Sequence, residues 1–454
     1  MFSTVLIANR GEIALRVART CRELGLRVVA VHSTEDRDSA VVRLADESVQ
    51  IGPASARRSY LNIPALIEAA RRTGADALHP GYGFLSEDAD LAAVCAENGI
   101  TFVGSPAPVL EVFGDKIAAR ALMAEAGLPL LPGSAAPLES VAAARAAADA
   151  IGYPVILKAA AGGGGNAMAV VREAADLPAA WRRIRADAQA LFGDDRVYLE
   201  RHLGSARHVE VQLLCDAHGN VLPLGTRDCS VQRRRQKLIE EAPAPRLPGG
   251  LAERMSEAAV AGARAAGCVG AATFEFLVSP DGSFAYLETN CRIQVEHPVT
   301  EMVTGVDIVA EQFRIAAGRE LALGPEDVEP RGAAIECRIN AEDPDRGFAP
   351  APGLLTEFRL PGGPFVRADT HGFPGYRVPA AYDSLLAKLV VWAPDRDRAL
   401  RRMAAVLGEC RISGPGVRTT AGFLERLIAD PRFQDAEHDT SLALAPPPDP
   451  RPVH

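Results

Sequence analysis

Residues 274–300 read FEFLVSPDGSFAYLETNCRIQVEHPVT, and the rest of the chain is best understood outward from them. Apolar and polar residues alternate through Phe274-Glu275-Phe276-Leu277, a Ser-Pro-Asp-Gly turn follows at 279–282, and alternation resumes at Phe284, which is the pattern of a β-hairpin. Side chains of an extended chain point the same way every second residue. Continued as an extended segment, the second arm places Glu288, Asn290, Arg292, Gln294 and Glu296 on one face. A solvated edge strand also carries mixed charge, but here the hairpin brings Glu275 to the same end as Glu288 while Phe274 and Phe276 turn to the core. Two carboxylates and a carboxamide so placed repel unless a hard cation lies among them, and Mg²⁺ prefers oxygen ligands that it shares with substrate phosphates. The row therefore predicts a metal and a phosphorylated ligand at Glu275, Glu288 and Asn290. Arg292 adds an anion clamp, and Glu296 a base beside it.

The chain has 454 residues, 48% hydrophobic and 24% charged, which places it among soluble globular proteins of about two to four domains. A net charge of −9 gives no broad basic surface for nucleic acid. No apolar run approaches the ~20 residues of a membrane span, and the start MFSTVLIANRGE lacks the basic flank of a leader. The expected location is the cytoplasm. The eight cysteines show no C-x-x-C or metal-ligand spacing and read as reduced, buried small residues. Lys+Arg total 49, yet only four are lysines: Lys116, Lys158, Lys237 and Lys388. In a chain so biased toward arginine, those four mark places where a compact ammonium is required and a planar guanidinium does not serve.

At the N-terminus a strand at Val5–Ala8, a tight Asn9-Arg10-Gly11 turn, a helix from about Glu12 to Leu24 and a strand at Val28–His32 make a βαβ opening. Without G-x-G-x-x-G, no dinucleotide is implied. The loop HPGYGFLSE, residues 79–87, is rich in turn residues and aromatics and can line a cleft. After Asp115-Lys116 a helical run reaches Gly127, and an α+β unit follows, with helices near Val141–Ile151 and Leu177–Ala190 and strands at Tyr153–Lys158, Ala169–Arg172 and Val197–Glu200. Between its first two strands lies AAAGGGGNAM, residues 159–168. Consecutive glycines expose bare N–H groups to phosphate oxygens and make a mobile flap, and Lys158 stands beside it. The missing G-K-[ST] ending excludes the ordinary P-loop. Two strands around the turn at 216–219 lead into RDCSVQRRRQK, residues 227–237; Glu240-Glu241 follow, so this reads as a pocket for anions rather than a nucleic-acid patch. A helix follows Leu251, and another spans Val306–Ala317. Beyond Gly332 come short strands at 334–343, Val366, Val378 and Leu385–Trp392, then helices at Arg396–Cys410 and Thr419–Ala429. The proline-rich tail at 446–454 reads as disordered.

Eight motifs stand in one order: IANRGEIALR, HPGYGFLSE, the glycine flap, RDCSVQRR, TFEF, RIQVEHPVTE, ECRINAED and YDSLLAKL. Together they resemble the biotin carboxylase component of biotin-dependent carboxylases, within the ATP-grasp superfamily, over nearly the whole chain. The resemblance implies a multidomain fold of α/β and α+β parts. These are a Rossmann-like open α/β domain at 1–114, an ATP-grasp domain at 115–330 with a mobile lid at about 131–203, and a C-terminal mixed β/α domain at 331–445. It implies a ligase of two steps, in which ATP phosphorylates bicarbonate to carboxyphosphate and the carboxyl group then passes to biotin. That is the first half-reaction of an acyl-CoA carboxylase, such as acetyl-CoA carboxylase of fatty acid biosynthesis.

In that scheme Lys116 and Lys158 hold phosphates beneath Gly164 and Gly165, while Glu200, Leu203 and His208 surround adenine and ribose with Gln232 and Arg235 nearby. Glu275, Glu288 and Asn290 carry Mg²⁺ or Mn²⁺. Lys237, Arg292 and the backbone of Val295 hold bicarbonate, Glu296 removes its proton, and Arg338 stabilises the enolate-like charge on the biotin ureido oxygen. Lys388 is left to packing or support. No Met-Lys-Met motif is present, so biotin is expected on a separate carrier protein, with a separate carboxyltransferase; the family implies a homodimer. The chain departs from the family at four places. Asn166-Ala167 stands for Arg-Gly ahead of the lid methionine, Arg235 for His, Thr226 for Glu and Cys291 for Thr. If the family glycine is left-handed, Ala167 is strained by ~1 kcal/mol or more. These departures keep two other readings open: a ligase that activates a different carboxylate, and a scaffold without catalysis.

Overall fold

The computed structural model describes residues 2–162 and 165–444; Gly164 and the tail at 446–454 lie outside the described residues. The N-terminal part contains strands β1 (Thr4–Ile7), β2 (Arg27–Ser33), β3 (Glu47–Gly52), β4 (Ala77–His79) and β5 (Thr101–Phe102), and helices α1 (Gly11–Glu23), α2 (Ala40–Leu44), α3 (Ile63–Thr73), α4 (Ala89–Glu97) and α5 (Ala107–Gly114). The strands pair in parallel in the order β3-β2-β1-β4-β5, the open α/β sheet expected from βαβ patterning. Every residue of β1 is buried because helices cover both faces of such a sheet. The HPGYG loop is tied to the β1–α1 turn by Asn9, whose Nδ2 donates to the carbonyls of Pro80 at 2.6 Å and Tyr82 at 2.8 Å. Gly81 has φ +63°, and a Cβ there would lie 2.8 Å from Asn9 Nδ2, so only glycine allows this approach.

Next come α6 (Lys116–Glu125), α7 (Val141–Ile151), β6 (Val155–Ala159), β7 (Met168–Val171), α8 (Leu177–Phe192) and β8 (Val197–Arg201). The three strands form their own antiparallel sheet, β7-β6-β8, and α7 and α8 cover it. Its core, Val155, Leu157, Val171, Trp181, Ile184 and Leu199 among others, is separate from the larger cores of the chain, as a lid requires.

Eight of the remaining strands build one continuous antiparallel plate. β9 (Arg207–Cys215), β10 (Val221–Arg233), β11 (Gln236–Ala242), β12 (Gly270–Val278) and β13 (Phe284–Asn290) are followed, after α9 (Leu251–Ala266), α10 (His297–Thr304) and α11 (Ile308–Ala316), by β14 (Ala333–Asn340). Two short strands, β15 (Glu342–Asp343) and β16 (Ala349–Pro350), pair with each other; β17 (Glu357–Arg359) pairs with β20 (Arg411–Ser413). With β18 (Val366–Thr370) and β19 (Leu385–Ala393) the plate reads β13-β12-β9-β10-β11-β14-β19-β18. The boundary expected near 331 therefore falls between strands of a single sheet, joined through Ile239↔Cys337 and Ala242↔Ala334. Helices α12 (Arg396–Glu409), α13 (Ala421–Ile428) and α14 (Pro431–Gln434) pack on its far part.

Four local expectations are corrected. The extended run from the hairpin stops at Asn290, and α10 starts at His297 with Pro298 in its first turn, where the missing N–H costs no intrahelical bond. The helix expected from Val306 begins at Ile308, because Asp307 caps it by accepting from the Ala310 N–H. Val378 lies in no strand; only the bridge Leu354↔Arg377 forms beside it. RDCSVQR, residues 227–233, forms the second half of strand β10, which turns into β11 through Arg234 and Arg235 at φ +49° and +67°.

Candidate active site

The hairpin register sets the site. Glu275 pairs across from Glu288 and Thr273 across from Asn290, so both carboxylates reach one end of the plate while Phe274 and Phe276 are fully buried behind it. Beyond Asn290 the chain is irregular, yet Arg292, Gln294 and Glu296 line the same cavity of about 1200 Å³ between plate, lid and N-terminal sheet. Every other predicted site residue that the structure describes also lines it, Leu203, Gln232 and Val295 included.

Lys237 on β11 is the centre of the charge arrangement. Its Nζ lies 2.6 Å from Glu296 Oε1, 2.7 Å from Glu210 Oε2 and 3.0 Å from Glu275 Oε1. Burial opposes every one of these charges, but the cations win. Lys237, Arg338 and Arg227 hold the Glu296 carboxyl well below the usual carboxylate range, and Lys237 with His208 does the same for Glu275. The three carboxylates in turn raise Lys237 well above the usual lysine range. His208 Nε2 lies 2.9 Å from Glu275 Oε2, which raises the imidazole pKa against the effect of burial. His208 thus stands at the carboxylate end, with Gln232 Nε2 3.1 Å from its Nδ1. Arg338 on β14 bridges Glu240 Oε1 at 2.6 Å and Glu296 Oε2 at 3.0 Å.

Arg292 is oriented on three sides. It donates to Glu87 at 2.7 Å, Gln294 at 2.9 Å and Asn290 Oδ1 at 3.0 Å. Lys116, in the first turn of α6, reaches Glu288 Oε2 at 2.6 Å. Lys158 of the lid and Arg120 of α6 each take one oxygen of Glu200 at 2.6 Å, so the Glu200 carboxylate is engaged as a buried ion pair that joins lid strand β8 to α6. The flap approaches the plate where Arg235 Nη1 donates to Gly165 O at 2.7 Å, and Ala167 has φ +47°. The left-handed strain anticipated there is real. Lys388, fully buried, donates to the Val295 carbonyl at 2.7 Å and lies 3.1 Å from Glu12; it fixes the peptide just before Glu296.

Sequence reasoning missed Glu210, Arg227, Arg120 and Glu87. Arg227, 0% exposed, donates to Glu210 at 2.5 Å, Gln212 at 2.7 Å and Thr300 at 2.9 Å, holding the acid that holds Lys237. The available signal was His208-Val209-Glu210-Val211-Gln212, an alternation whose polar face is buried because it meets other charges. Of the departures, Thr226 accepts from the Ala244 N–H at 3.2 Å, and Cys291 packs its thiol against Cys268 in the core.

A glycine flap over a plate that carries opposed lysines and carboxylates defines an ATP-grasp ligase. Residues 1–110 match the family described as biotin carboxylase, N-terminal domain, 115–323 the carbamoyl-phosphate synthase L chain, ATP binding domain, and 336–443 the biotin carboxylase C-terminal domain. The chain is 50% identical over 441 residues to the biotin carboxylase of Nostoc sp., across 97% of this chain and 98% of that one. The biotin carboxylase–ATP complex of Campylobacter jejuni superposes with TM-score 0.95 at 45% identity, covering 98% and 99% of the two chains. The biotin carboxylase domain dimer of Hydrogenobacter thermophilus 2-oxoglutarate carboxylase, solved with MgADP, ADP and bicarbonate, superposes with TM-score 0.94 at 43% identity, covering 97% of each chain. The chain belongs to the biotin carboxylase family.

Proposed function

We propose that this chain carboxylates biotin with bicarbonate at the cost of ATP, and that the observation carrying this reading is Lys237 set among Glu210, Glu275 and Glu296 within reach of Arg338. The donor set suits a hard cation. Glu275 and Glu288 come from paired strands, and Asn290 lines the same cavity; the three offer the oxygen ligands that Mg²⁺ prefers. Bound there with ATP, Mg²⁺ or Mn²⁺ supplies charge neutralisation to the phosphates. Lys116 and Lys158 hold phosphate oxygens, and Gly165 covers them. Glu200, by fixing Lys158, works with Leu203, His208, Gln232 and Arg235 to bind the nucleoside.

Lys237, Arg292 and the Val295 backbone receive bicarbonate. In the resting site Glu296 is too weak a base, because two cations touch it. An anion arriving at Lys237 and Arg292 takes over one of those two cations, Lys237, and the Glu296 carboxylate becomes a stronger base that takes the bicarbonate proton. The nucleophile then attacks the ATP γ-phosphorus and expels ADP; the carboxyl group of the resulting carboxyphosphate passes to biotin N1′ as phosphate leaves and takes the N1′ proton, while Arg338 stabilises the charge that develops on the ureido oxygen. Biotin arrives on a separate carrier protein, the acceptor is chosen by a carboxyltransferase partner, and the working form is a cytoplasmic homodimer. No helix among the described residues is long and apolar enough to cross a membrane.

The test is ADP release by purified protein with ATP, Mg²⁺ and free biotin, with and without bicarbonate. Release that needs both supports the reading. Release that ignores biotin but responds to another carboxylate favours a different ATP-grasp ligase.

A further inference from the structure

Behind the cavity, Glu336 is a buried acid that the reaction outlined above does not use. It lies on β14 directly across from Glu240 on β11, and both are 0% exposed. Opposed residues of an antiparallel pair project to the same face with Cβ atoms roughly 5 Å apart. Glu240 gives Oε1 to Arg338; its Oε2 and both oxygens of Glu336 meet no hydrogen-bond partner among the described residues.

The charged groups around the pair are engaged elsewhere. On the plate, Lys388 serves Val295 O and Glu12, Lys237 serves Glu210, Glu275 and Glu296, and Arg367 serves Glu301 and Asp369. From α1 come Glu12 and Arg16, the latter on Glu301 and Asp307. From α10 come Glu301 and His297, whose Nδ1 meets Gln294 O. Two ionised carboxylates facing one another here, with no donor for three of their four oxygens, are strongly disfavoured. One proton resolves the arrangement: carried by Glu336 and donated to Glu240 Oε2, it pairs two of the three bare oxygens. It also leaves the pair with a single negative charge, which Arg338 answers.

We propose that Glu336 is a positioning residue for the carboxylation, a neutral acid that donates a hydrogen bond to Glu240 and so holds Arg338 at the cavity beside Glu296. The same burial raises Glu240 to about 7 and Glu336 well above the usual carboxylate range, which agrees with one retained proton at neutral pH. At alkaline pH the proton is lost, the two acids repel, and Arg338 loses its support; turnover falls on that side. The inference rests on the role given to Arg338 above.

The experiment compares the full chain with Glu336→Leu and Glu336→Gln in biotin-dependent ADP release across pH, together with infrared spectra in H₂O and D₂O. Glu336→Leu removes the donor and is expected to lower kcat about tenfold with the KM for ATP unchanged, a loss equal to about 1.4 kcal/mol. Glu336→Gln keeps a donor without a titrating proton, so it restores most of kcat and moves the alkaline limb to higher pH. The native chain should show a D₂O-sensitive neutral-carboxyl band that Glu336→Gln lacks. Absence of that band, full activity in Glu336→Leu, or a Gln variant as impaired as the Leu variant would each overturn the proposal. Should Glu336→Leu not fold, the band and the Gln pH profile decide. If native ADP release proves independent of biotin, the carboxylase reading has failed, and the band still reports on the pair.

Discussion

On the plate, Lys237, Arg227 and Arg338 keep side-chain exposures of 12%, 0% and 13%, each anchored to acids or amides from neighbouring strands. Across the cavity the lid offers bare backbone, Lys158, and an alanine held left-handed at φ +47°. The charges of the plate hold one another in place, an arrangement that leaves little reorganisation for the chemical steps proposed there. Among the described residues, the bonds that join the lid to the body include Glu200 and the Leu131 carbonyl to Arg120, Arg196 to Asp115 at 2.9 Å, the Lys116 N–H to Ala160 O at 2.9 Å, and Arg235 to Gly165 O. On the proposed reading, chemical selectivity belongs to the plate and nucleotide capture to the lid.

The largest effect should come from the plate. Lys237→Gln should cut bicarbonate-dependent ADP release by at least about 10³-fold and also lower Tm, because three buried carboxylates lose their cation. Substantial turnover with bicarbonate in that variant would break the assignment of anion chemistry to the plate.

Glu200→Gln probes the joint. It should raise the KM for ATP about tenfold and cost about 2–3 kcal/mol of stability at neutral pH. Lys158 and Arg120 outweigh burial and hold the Glu200 pKa below its ordinary value. Its contribution is therefore full above the ordinary glutamate range and is withdrawn as pH falls through the depressed folded value. The Tm gap between native and variant should close in acid; a gap independent of pH would remove Glu200's charge from the joint.

Two lid substitutions should act more gently. Asn166→Arg places a cation over the phosphates and should lower the KM for ATP about threefold, near 0.6 kcal/mol, as for a partly solvated ion pair. A silent native chain that this variant revives would instead show that the lid had diverged from ATP chemistry. Ala167→Gly relieves left-handed strain but adds freedom to the unfolded chain, so its net gain should stay below about 1 kcal/mol. Slower amide exchange across β6 and β7 would register it, and faster exchange would mean that Ala167 is held there without cost.

The sequence carried the hairpin, the register of Glu275 against Glu288, and the meaning of rare lysines, because these rest on local alternation and composition. Ala167 was legible for the same reason. The union of β11 with β14 was not, since pairing between residues almost a hundred positions apart leaves no local periodicity. Arg227 and Glu210 were hidden by a different cause. Alternating polar residues signal a wet face in most strands, and only the assembled plate shows that this polar face is dry. The start of α10 at His297 was available in Pro298, a first-turn residue, but the preceding row of alternating charges masked it.

The pairing of Ile239 with Cys337 and Ala242 with Ala334 bears on how this chain can be taken apart. Truncation ahead of β14 would leave β11 as a raw edge with open donors and acceptors, an invitation to intermolecular strand addition. The segment between α11 and β14 looks like a seam along the chain, yet fragments divided there would be expected to coprecipitate or reassociate rather than live separately. Split-protein reporters would be better placed around the lid, whose three strands pair only with one another and share no ladder with the plate.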